Sequence, residues 1–69
     1  SDYVRNIRIS KAKELLQNNS LKIHEIAKSV GYESAAYFTR IFKNTTNLTP
    51  QEYRDAILKS KSLLNKKAD

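Results

Sequence analysis

Gly31 and Pro50 are the only glycine and the only proline in a chain of 69 residues. With so few backbone breakers, and with apolar residues recurring at helical spacing throughout, the sequence can form little other than helices joined by short turns. An all-α fold is therefore predicted. The two exceptions then mark element boundaries rather than interruptions.

The first helix is predicted from Asp2 or Tyr3 to Asn18, with Asp2 as its cap. Its apolar residues are Tyr3, Val4, Ile7, Ile9, Ala12, Leu15 and Leu16. At about 100° per residue they spread over more than half of the circumference, too wide an arc for one core stripe. Arg8 and Lys11 fall inside it. Such a helix calls for two packing partners, of which only one can lie in this chain. A second, short helix is predicted from Lys22 to Ser29, with Ile23, Ile26, Ala27 and Val30 facing inward. Gly31 follows where a left-handed residue is needed. Ser34 is placed to cap a third helix, Ala35 to Thr46.

The segment NLTPQEY, 47–53, carries the densest boundary signals. Asn47 tolerates the left-handed conformation that ends the third helix. Thr49 caps the fourth, Pro50 occupies its first turn, and Glu52 can reach back to complete a capping box. Leu48 and Tyr53 have the spacing of a hydrophobic staple. The fourth helix is predicted through Ala56 and Ile57 towards Leu64, leaving NKKAD as a polar, fraying tail.

Without cysteine, and with His24 as the sole histidine, the chain has neither a disulfide nor a Cys/His zinc site to staple a small core. A domain of this size buries only about 60% of its unfolded surface. Packed side chains must hold it, alone or with a neighbouring segment. Starting at Ser1 rather than methionine, it reads as a piece of something longer. Thirteen Lys and Arg against seven Asp and Glu give a formal charge of +6, which favours a polyanionic partner. No apolar run approaches the roughly 20 residues needed to span a bilayer, and the basic stretch KSKSLLNKK has few bulky apolar residues for insertion, so a membrane partner is not expected; the absence of cysteine fits a cytoplasmic location.

Two short helices around a glycine turn have the layout of a helix-turn-helix, in which the second helix enters the DNA major groove. Small Ala27 permits their close crossing, and Ile26, Val30, Phe38, Ile41 and Phe42 would form the wedge between them. With Phe38 at the centre of the buried side, Ala36, Thr39, Arg40 and Lys43 point away. Arg40 can donate two hydrogen bonds to a guanine, and a Thr39 or Ala36 methyl can touch a thymine methyl. Lys43, farther along, suits a phosphate, while Tyr37 and Asn44 flank the surface, facing sugar–phosphate or solvent. On an arbitrary helix, Arg40 and Lys43 would simply be solvated. The glycine-turn context is what makes them candidates.

The runs RISKAKELL (8–16), IHEIAKSVGYESAAYFTRIFK (23–43) and LTPQEYR (48–54) resemble the second half of the AraC/XylS-type DNA-binding domain. The likeness covers Asp2 to Arg54. It implies a homeodomain-like half domain, with a connecting helix over 1–19 and a helix-turn-helix unit with the start of a closing helix over 20–54; residues 55–69, outside the likeness, read as a C-terminal helical extension and polar tail. It further implies an upstream helix-turn-helix unit and a sensor domain in the same polypeptide, a double-stranded operator as ligand, and RNA polymerase as a further partner. Carried over by position, Ala35, Ala36, Thr39 and Arg40 would contact bases. Lys43 would lie near the backbone, as would Lys22 and His24 at the start of the second helix. Two departures stand out. Asn47 replaces the usual glycine, and Ala35 and Ala36 lack the polar groups common there, which shifts sequence reading onto Thr39 and Arg40.

Blander roles are expected elsewhere. His24 and Arg8 could touch phosphate and Arg54 could reach DNA, but His24 reads as a solvated helix residue, Arg54 as half of an ion pair with a nearby Asp or Glu, and Arg8 as a packed stem with a salt bridge to a carboxylate. No carboxylate pair, nucleophile–base set or phosphate-cradling glycine loop emerges, so neither an enzyme nor a cofactor is expected. The alternative to DNA binding is a helical protein-interaction module that presents the same face to an acidic protein.

Overall fold

The computed structural model describes the backbone of Asp2–Ala68 and the side chains of Asp2–Ser62. Its four helices are α1 (Asp2–Leu16), α2 (Ile23–Ser29), α3 (Ala35–Thr46) and α4 (Pro50–Ala68). Ile9, Ala12 and Leu16 of α1 pack with Ile26 and Ala27 of α2, Val30, Tyr32, and Phe38 and Phe42 of α3 into one buried core. Tyr37, Tyr32, Phe38, Phe42 and Tyr53 form a continuous run of ring contacts, with successive centroids 5.5–5.9 Å apart. Tyr32 had no assigned role in the sequence reading, yet it is buried and stands at the junction of this run.

The turn between α2 and α3 forms as its residues dictate. The N–H of Tyr32 donates to the Ala27 carbonyl at 2.9 Å, and that of Gly31 to the Lys28 carbonyl at 3.1 Å. These two bonds make a Schellman closure, which requires a left-handed residue; Gly31 supplies it at φ +103°. A Cβ there would also sit 3.1 Å from Arg8 Nε. Gly31→Ala should therefore lower the melting temperature by about 5–10 °C, through roughly 1–2 kcal/mol of backbone strain and a displaced Arg8. Thermal unfolding followed by circular dichroism measures this directly.

Asn47 closes α3 in the left-handed region at φ 70°, its N–H donating to the Lys43 carbonyl. The capping box on α4 is complete: Thr49 N–H donates to Glu52 Oε1 at 2.8 Å, and Glu52 N–H to Thr49 Oγ1 at 3.1 Å. Hydrogen bonding to the carboxylate from the Thr49 backbone N–H, and second from the Thr49 hydroxyl, holds the Glu52 carboxyl below its ordinary pKa, and Lys43 adds to the effect. A lowered folded-state pKa means that this contribution to stability is whole above the unfolded glutamate value. It fades as pH falls through the folded one. Glu52→Gln keeps an acceptor in the box, so acid titration of that variant should lack this share of the low-pH loss. An NMR titration of wild type should place the Glu52 midpoint below that of a free glutamate.

Four expectations need correction. Asp2 lies within the first turn of α1 rather than before it, and accepts from Arg5. The regular helix of α1 ends at Leu16, not Asn18, because Gln17 and Asn18 bond three residues back and tighten the last turn. Helix α4 runs past Leu64 to Ala68. Leu, Lys and Ala are good helix formers, no breaker interrupts them, and cations favour a helix C-terminus. Of the tail NKKAD, the side chains and Asp69 lie outside the described residues. The fourth concerns Arg54. It is 5% exposed, and its partners are carbonyls rather than a carboxylate: Nε donates to Leu16 O and Nη2 to Asn18 O, both at 3.1 Å. The guanidinium satisfies the Leu16 carbonyl, which the end of α1 leaves unpaired, and adds a second donor to the Asn18 carbonyl, which also accepts the Leu21 N–H.

Candidate nucleic-acid interface

The short α2 is started by Glu25, whose Oε1 accepts the Lys22 N–H at 2.8 Å. This is half of a capping box, since a lysine side chain has no acceptor to offer in return. Lys22 and His24 are both exposed at this start. Across the turn, Ser34 Oγ accepts the Tyr37 N–H at 3.2 Å and sets the first turn of α3. Helix α3 is strongly two-faced. Phe38 and Phe42 are fully buried, and they fix the rotation of the helix about its own axis.

That rotation decides what the opposite face presents. Ala36, Arg40 and Lys43, at i, i+4 and i+7, are all exposed and stand in one row. Among the described residues neither Arg40 nor Lys43 takes part in an ion pair. Thr39 is half-buried and borders this row; Ala35 packs against the core. The structure thus brings Ala36, Arg40 and Lys43 together on an open face, with Thr39 at its edge and the Ala35 methyl turned largely inward. Tyr37, 53% exposed, marks the other edge.

Arg8 departs from its expected role. Among the described residues it has no carboxylate partner; its guanidinium lies over the Tyr32 ring, 5.2 Å from the centroid. The aromatic after Gly31 was the available signal, but pairing the two required knowing how α1 crosses the turn. No helix among the described residues is long and apolar enough to cross a membrane.

A cationic helix of 12 residues, rotationally fixed by two buried phenylalanines and braced by a shorter helix through a glycine turn, defines a helix-turn-helix DNA-binding domain. The family profile described as "Helix-turn-helix domain" matches residues 1–56, and the chain belongs to this family, in its AraC-type branch. It is 44% identical over 52 residues to the uncharacterised HTH-type transcriptional regulator YpdC of Escherichia coli K12, covering 75% of this chain and 18% of that protein. It is 36% identical over 66 residues to the HTH-type transcriptional activator RhaR of Yersinia pseudotuberculosis serotype O:3, covering 96% and 23%. The RhaR of Yersinia pestis strain Angola matches at 37% over 60 residues, covering 87% and 21%. The chain thus spans about a fifth of the length of these relatives. No solved structure matches it. The alternative of a protein-interaction module finds no support in these relatives, which carry the names of transcription regulators.

Proposed function

We propose that this chain is the operator-binding output module of a bacterial transcription regulator, reading double-stranded DNA with α3 in the major groove. The observation that carries this reading is the exposed row Ala36–Arg40–Lys43 opposite the buried Phe38 and Phe42. In it, Arg40 reads a guanine, the small Ala36 and the Thr39 methyl admit close approach to thymine, and Lys43 binds phosphate. The Ala35 methyl lies at the margin of the base-reading surface. Tyr37 on one flank, and Lys22 and His24 on the other, face the sugar–phosphate strands.

The division of the chain follows the same reading. Within residues 1–19, α1 serves as the connecting helix; 20–54 is the reading unit with the start of its closing helix, and 55–69 an extension. Tyr3 (75% exposed) and Ile7 (51%) lie on the side of α1 away from Ile9, Ala12 and Leu16. An upstream helix-turn-helix unit of the same polypeptide would cover them. A sensor domain and contacts with RNA polymerase complete the proposed regulator, which acts by binding rather than by catalysis, in the cytoplasm, where bacterial DNA lies.

One such unit buries only about 600–1,000 Å² on DNA, so the chain alone should bind weakly and best at low salt. Selection from a random duplex pool, followed by fluorescence-anisotropy titration, tests the proposal. The logarithm of the binding constant should fall with the logarithm of salt by about 0.9 per phosphate neutralised. A selected duplex bound no better than a scrambled one would refute sequence reading by this unit.

A further inference from the structure

A groove separates the first two turns of α1 from the start of α3, walled by Val4, Arg5 and Arg8 on one side and by Ser34, Tyr37 and Ile41 on the other. We propose that this groove seats the sugar–phosphate backbone of one strand of the bound duplex, with Arg5 and Arg8 as its phosphate ligands. The inference rests on the reading of α3 as the recognition helix and adds the arginines of α1 to the interface.

The chemistry of the groove is mixed in the way a nucleic-acid backbone is mixed. Val4, Ile41 and the Tyr37 ring offer apolar surface to a deoxyribose. The two guanidiniums and the hydroxyl groups of Ser34 and Tyr37 offer donors to a phosphate. Arg8 is preorganised: its guanidinium is stacked on Tyr32 and lies against Gly31, which leaves room for it by lacking a Cβ. Arg5 is partly exposed, and its partner Asp2 is a solvent-exposed residue of the same turn, a pairing of the kind that contributes little and that a phosphate can replace. Glu33 on the groove is the single acidic wall residue and leaves the balance positive.

Position supports the same occupant. The major groove is about 12 Å wide and bordered by two phosphate strands, so a helix lying in it has a strand on each flank. On the Tyr37 side, three residues before Arg40 and continuous with the reading face, the nearest wall is Arg5 and Arg8. That flank is thus cationic, and its arginines belong to α1 rather than to α3 itself.

The test is a salt titration of duplex binding by the 69-residue chain and its Arg5→Gln, Arg5→Lys and Arg40→Ala variants. Arg5→Gln should weaken selected and scrambled duplexes alike, by about 3–10-fold at low salt. It should also reduce the slope of log K against log salt by roughly 0.9. Arg5→Lys should retain the slope, which a merely structural surface pair would not require. If Arg5→Gln keeps the affinity and slope of wild type while Arg40→Ala loses sequence preference, the groove assignment is wrong and the recognition-helix reading stands. If wild type binds no duplex in a salt-dependent manner, that reading fails and the groove assignment fails with it.

Discussion

Replacing Arg54 with alanine should destabilise the domain by about 3 kcal/mol, since hydrogen bonds to a charged group contribute roughly 1.5–3 kcal/mol each and two are lost. The side chain is 5% exposed and donates to Leu16 O and Asn18 O at 3.1 Å. Its removal leaves the Leu16 carbonyl without a partner at the end of α1 and opens a gap where the guanidinium stem packed. A domain of this length has about 3–10 kcal/mol of total stability. The loss is therefore a large share of the whole and should lower the melting temperature by about 12–24 °C. Arg54→Lys should recover less than half, because a single ammonium cannot span two carbonyls as the planar fork does. A melting temperature of Arg54→Ala within a few degrees of wild type would show that the two bonds are worth little. Since Arg54 joins the start of α4 to the end of α1, 38 residues away, the same variant should loosen α4 before it disturbs the packing of α2 on α3. Amide hydrogen exchange would reveal that order.

The second large effect is on binding rather than stability. Arg40 is exposed and outside the core, so Arg40→Ala should melt as wild type does. Its affinity for the selected duplex should fall by about 5–150-fold, the range of roughly 1–3 kcal/mol that a bidentate arginine–guanine contact supplies. Affinity for scrambled duplex should change far less. Arg40→Lys separates the two possible contacts. A lysine replaces a phosphate contact well but cannot form the paired bonds to one guanine edge. If the lysine variant discriminates as well as wild type, Arg40 binds backbone and the specificity lies elsewhere on α3. Thr39, half-buried at the border of the reading face, is then the next residue to replace.

The Ala36–Arg40–Lys43 row shows why much of the site was legible in sequence. Phe38 and Phe42 must go inward, and the helical repeat then forces residues at other angles outward. The same logic located the α3 cap at Ser34 and the box between Thr49 and Glu52, because each involves partners three residues apart. Thr39 and Ala35 were less legible. Both stand at intermediate angles, where the crossing of α2 over α3 decides how much of each is covered.

The sequence by itself determined the helices, the left-handed residues Gly31 and Asn47, and the side of α3 that faces away from the core. All of these follow from torsional preference and from partners within one helical turn. Tertiary structure alone decided that Arg54 bonds the carbonyls ending α1 rather than a carboxylate, and that Arg8 lies on Tyr32. It also decided that the first turns of α1 face Tyr37 across an open groove. Each joins atoms far apart in the chain. A guanidinium accepts any well-placed oxygen or aromatic face, so only the crossing of the helices selects among them.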